Sequence, residues 1–111
     1  MSEEYIEILA EIQEHENSSP ERMLFLSVIF QALLDATKEK SKVESSRVSV
    51  ERANARAWFF CSVGVTCDNF EYICESAGMD AEYTRSFAIK VINSKEIKYV
   101  RQRIRRVLDK T

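Results

Sequence analysis

Two glycines and one proline in 111 residues leave little material for the tight turns a β-meander needs, which argues against a sheet. Histidine is nearly absent: His15 is the only one, and it sits among glutamates. The chain has no Gly-rich phosphate loop, no nucleophile elbow and no HExxH, so no catalytic constellation is legible and an enzyme is not expected. Cys61, Cys67 and Cys74 are six and seven positions apart, without the CxxC pair of a zinc ribbon or finger. Neither a metal nor a cofactor is expected. The longest apolar run, Met23 to Phe30, is broken by Ser27 and is far too short to span a bilayer. The first residues, Ser2-Glu3-Glu4, are acidic and no apolar stretch follows soon after, so no secretory leader is expected. A cytoplasmic protein with reduced, mostly buried thiols fits these absences.

Charge is plentiful but unevenly placed. The net charge of −2 hides a gradient: nine acids and two bases from Met1 to Glu39, nine bases and two acids from Arg85 to Thr111. A basic end of this kind can be the electrostatic footprint of a polyanion-binding face, or a basic helix lying against the acidic one of its own or a sister chain.

Apolar periodicity predicts a single all-α domain, a bundle of five to six helices over 1–111. Tyr5, Ile8, Leu9 and Ile12 stripe a first helix over 3–14. Ser19-Pro20-Glu21 starts a second, about 20–38, with serine as cap and proline in the first turn. That helix is apolar almost all round, with only Ser27, Gln31, Asp35 and Lys38 as a polar edge. It should be the central core helix, and apolar surface the rest of the chain cannot cover implies a homodimer. A polar, serine-rich loop at about 39–48 is the best candidate for disorder. A third helix is expected from 49 to 61, capped by Ser49, with Val50, Ala53, Ala57 and Phe60 inward and Arg47, Arg52 and Arg56 on a solvated face. Ser62 to Cys67 reads as a turn, Asp68 with Glu71 as a capping box, and Ser94 as the cap of a basic C-terminal helix over 95–109.

The most suggestive stretch is Asp68 to Ile92. Phe70, Ile73, Cys74 and Ala77 give 69–77 an apolar face, Gly78 breaks it, and Asp80 can cap a helix over 81–92. Two short helices with glycine at the bend form a helix-turn-helix-like unit over 69–92. If that unit meets double-stranded DNA, Arg85 suits a guanine edge, Ser86 and Lys90 suit phosphates, and Lys98, Arg101 and Arg105 supply further cations. The acids Asp80 and Glu82 at the tip, and Ile89 on the solvent side, oppose that reading and suit a protein interface. A metal-dependent nuclease built on Glu71, Glu75, Asp80 and Glu82 would need those carboxylates to converge in one pocket.

The elements RAWFF, FEYIC and AGMDAEYTR, from Arg56 to Ala88, resemble a group of small uncharacterised bacterial and phage proteins, and the helix ERMLFLSVIFQALLDA is similar to an earlier helix of that group. The resemblance covers about two thirds of the chain, and Ala81 stands where proline is usual. It implies a helical, phage-type DNA-binding protein, such as a transcriptional regulator, and no assigned activity. The alternative is a non-enzymatic protein–protein interaction or structural helical protein.

Overall fold

The computed structural model describes residues 3–61 and 63–109. Among them are six helices and no strand: α1 (Glu3–Glu14), α2 (Pro20–Ala36), α3 (Ser46–Phe60), α4 (Val65–Ser76), α5 (Ala81–Ile92) and α6 (Ile97–Asp109). The all-α bundle expected from the periodicity is present. No helix among the described residues is long and apolar enough to cross a membrane.

Several starts follow the local chemistry read from the sequence. Ser19 Oγ accepts from Arg22 N at 3.4 Å, Pro20 opens α2, and Asp80 accepts from Tyr83 N at 2.9 Å to open α5. Gly78 has φ +75°, the left-handed conformation that ends α4 and turns the chain into α5.

Other boundaries differ. α3 begins at Ser46, with Ser45 as cap through Val48 N, one turn earlier than expected. Its inward residues are Arg52, Ala55 and Phe59, while Ala53, Ala57 and Phe60 face out. The cause of the phase error is Arg52. Hydropathy places an arginine outside, but this one is 5% exposed because Glu44, folded back from the preceding loop, meets its guanidinium at 2.5 Å. The loop is accordingly stitched down, by Glu44 on Arg52 and by Lys38 on Glu51 at 2.8 Å. α4 begins at Val65, with Gly64 as cap, so Asp68 lies inside the first turn, where its charge suits the helix dipole. α6 begins at Ile97, and Ser94 Oγ accepts from Glu96 N just before it.

The core is a mixed aromatic and aliphatic cluster. Phe30, Phe59 and Phe70 are fully buried beside Ile8, Ile12, Leu26, Ile29, Leu33 and Ile104. Trp58 stands edge-on to Phe70 with centroids 4.9 Å apart, and Phe59 to Phe70 at 6.0 Å. α2 packs against α3, α4, α5 and α6, while α5 touches every other helix. α5 is therefore the hub of the bundle, not an outlying rod.

Candidate functional site

Helices α1 to α4 carry no basic residue in their last turns. The carbonyls that end a helix still need donors. For α2, α3 and α4 the donors include arginines from elsewhere in the chain, beside the backbone N–H groups that close the last turns of α2 and α4. Around the end of α2, Arg101 Nη1 donates to the Leu34 carbonyl at 2.5 Å and reaches Thr37 Oγ1 at 2.6 Å, and Arg56 Nε donates to Ala36 at 2.9 Å. At the end of α3, Arg85 Nε donates to Phe59 at 3.1 Å and Nη2 to Cys61 at 3.0 Å. At the end of α4, Arg22 Nε donates to Ala77 at 3.2 Å. Arginine suits this task because its fork of fixed donors can serve two carbonyls at once and its charge complements the dipole.

This use of arginine decides where the six residues picked from the sequence stand. Arg85 is held by the α3 carbonyls, pairs with Glu82, and lies over the Phe70 ring with its guanidinium carbon 4.8 Å from the centroid. Its side chain is only 17% exposed. Lys90 turns the other way and meets Glu11 on α1 at 3.2 Å. Arg101 is committed to α2, and burial lowers its pKa. Ser86, Lys98 and Arg105 are exposed. The set is thus divided among the α3 end, the α1 seam, the α2 end and the outside of α6. Within α6, Arg103 pairs with Glu16, which leaves Lys98, Arg105 and Arg106 on the water side with no ion-pair partner among the described residues.

The surround of α5 is acidic where it meets α1. Tyr83 has its pKa raised by burial and then by Glu11 and Glu14. Glu11 Oε2 is buried without a hydrogen-bond partner among the described residues, and the gap that Glu11 shares with His15, Met79, Tyr83 and Phe87 is about 10 Å³, too small for any substrate. No group of three or more metal-ligating side chains forms among the described residues.

Two features escaped sequence reasoning. The first is which face of the apolar helix α2 stays uncovered: Leu24 is 66% exposed and Val28 43%. Tyr72 of α4, itself exposed, stands edge-on to the half-buried Phe25 at 6.1 Å. A groove of about 490 Å³ opens beside Leu24, lined also by Met23, Ser27 and Val107. The excess apolar character of α2 was legible, but which side stays uncovered depends on where five other helices pack. The second is a thiol pair. Cys67, at the start of α4, adjoins Cys61, at the end of α3, and Arg85 Nη2 lies 3.5 Å from Cys67 Sγ. The spacing of the two cysteines around Gly64 is the available signal, and it is not a metal-ligand spacing.

No protein-family model, curated protein or solved structure matches the chain.

Proposed function

We propose that this protein is a non-enzymatic helical interaction module whose docking face is the outer side of α2 and whose occupant is a second copy of the chain. The observation that carries the reading is the exposure of Leu24 and Val28 on the most apolar helix. Leu24, Val28, Gln31 and Asp35 recur at i, i+4, i+7 and i+11, so they share one side of α2. A two-fold pairing lays the Leu24–Val28 end of that side on its own copy, apolar against apolar. The commitment of Arg85, Lys90 and Arg101 to intramolecular partners weighs against base reading by α5.

A concentration series by sedimentation equilibrium tests this. Wild-type protein should dimerise, and Leu24→Glu with Val28→Glu should give a monomer of unchanged helicity. A wild-type monomer throughout the series overturns the reading.

DNA binding is the second reading, favoured by the open cations Lys98, Arg105 and Arg106. It would act on phosphates without sequence preference. Titration with duplex DNA should then give affinity that falls steeply with salt and is lost in Arg105→Glu with Arg106→Glu. Binding unaffected by those changes, or none at low salt, removes it.

A further inference from the structure

We infer that Cys61 and Cys67 form a peroxide-sensitive dithiol that closes to an intramolecular disulfide across the α3–α4 corner. The two thiols stand on opposite sides of Gly64 and differ in setting. Cys61 is half-buried at the end of α3, with its Sγ donating to the Trp58 carbonyl at 3.2 Å. Cys67 is 5% exposed in the first turn of α4. Its Sγ faces two charged groups: Glu71 Oε1 at 3.5 Å, and Arg85 Nη2 at 3.5 Å. The same Arg85 nitrogen also holds the Cys61 carbonyl at 3.0 Å, so one guanidinium ties both ends of the corner together.

The settings assign an order. Burial, then the neighbouring Glu71, raises the Cys67 pKa, so this thiol keeps its proton at rest. Cys61 is the more accessible sulfur and meets the oxidant first. As its sulfur attacks one peroxide oxygen the thiol proton passes to water; the O–O bond breaks, and the leaving hydroxide takes up that proton to become water, giving a sulfenic acid. Cys67 then passes its proton to Glu71, and the resulting thiolate is held beside Arg85. It attacks the Cys61 sulfur, the S–O bond breaks, and the departing hydroxide takes up the proton from Glu71. In sum two thiols and one hydrogen peroxide give one disulfide and two waters. Cys74 takes no part: it is fully buried between α4 and α5, where burial raises its pKa.

The bond would add a covalent tie to a corner otherwise held by Arg85; among the described residues, chain neighbours aside, nothing lies within 4 Å of the Cβ position at Gly64. Phe60, Val63 and Val65, exposed at 44%, 82% and 85%, flank that corner. Oxidation would therefore hold three apolar side chains in one arrangement.

The experiment treats the reduced full-length chain with hydrogen peroxide and blocks remaining thiols with an alkylating agent. Cleavage before Asp68 separates Cys74 from the pair. Wild type and Cys74→Ser should show the loss of two hydrogens in the Cys61–Cys67 fragment. Cys61→Ser should show no disulfide, and Cys67→Ser should stop at a sulfenic acid that dimedone traps at Cys61. Far-UV circular dichroism confirms that each variant is folded. The bond should also form faster in the folded chain than in urea at equal peroxide. Over-oxidation of Cys61 without a disulfide, a bond to Cys74 or to a second chain, or equal rates in urea overturns the inference.

Discussion

The chain turns sharply at two glycines, and the two corners are built on different principles. At Gly78, between α4 and α5, φ is +75° and the guanidinium of Arg22 fills the space a side chain would occupy. At Gly64, between α3 and α4, φ is +94° and no described residue beyond its chain neighbours comes within 4 Å of that space. The first corner looks like a recognition motif in sequence, yet it is plugged, and its second helix is the hub of the bundle. The second corner looks like a plain turn, yet it carries exposed apolar side chains and two adjoining thiols. A glycine bend reports where the backbone turns. It says nothing about which side of the turn is free to meet a partner.

The largest expected effect comes from removing the side chain that braces the open corner from outside it. Arg85→Ala strips two donors from the Phe59 and Cys61 carbonyls and the cation from the Phe70 ring. Leaving partly buried carbonyls unsatisfied costs roughly 1–3 kcal/mol each where water cannot replace the donor. Arg85→Ala should thus lower stability by about 2–4 kcal/mol in urea unfolding. Arg85→Lys should recover only part of the loss, because a point charge cannot reproduce the fork. If lysine restores full stability, the corner is held by charge alone and the difference between the two corners narrows.

The glycines themselves give the next effect. Gly78→Ala must bear a left-handed residue with a Cβ, about 1–2 kcal/mol, and must also displace Arg22 from the Ala77 carbonyl. Gly64→Ala bears the backbone strain, with no described residue beyond its chain neighbours within 4 Å to add a clash. Gly78→Ala should therefore be the more damaging. Arg22→Ala should shrink the cost of Gly78→Ala and leave that of Gly64→Ala unchanged. A double-mutant cycle measures this coupling, and additivity at Gly78 would show that Arg22 merely rests there.

Much of this fold was legible because caps and apolar stripes are local. Ser19-Pro20, Gly78 and Asp80 each act within a few residues, and α1, α2 and α5 lie where those signals put them, with α2 ending at Ala36, about half a turn sooner. Two kinds of information were not local. The α3 phase depends on a Glu44–Arg52 pair that reverses the usual exposure of arginine. The fate of Arg22, Arg56, Arg85 and Arg101 depends on which helix ends fall within reach after packing. Counting bases toward the C-terminus therefore overstated the cationic surface: Arg85, Lys90, Arg101 and Arg103 all have partners in the fold. Lys110 lies outside the described residues.

The smallest effect separates the corners by pH. His15 borders the same small gap as Met79, next to Gly78, and is far in sequence from the Gly64 corner. Its pKa is lowered from 6.5, first by burial and also by Arg22, while Glu14 and Glu11 pull the other way. The sign follows from linkage: the unfolded chain takes up a proton near pH 6.5 that the folded chain accepts only at lower pH. Stability from neutral His15 is complete above that value and declines as pH falls toward the folded pKa. Glu44 and Glu51, whose pKa values are lowered from 4.5 by their bonds to Arg52 and to Lys38, add a separate loss only in more acid solution. Between these ranges, hydrogen exchange at Gly78 and Met79 should quicken on acidification relative to the intrinsic rate, while amides of the first turn of α4 stay level. His15→Gln should flatten the response at Gly78. Equal quickening at both corners would mean that protonation loosens the whole bundle, and the plugged corner would lose its claim to be a separately held unit.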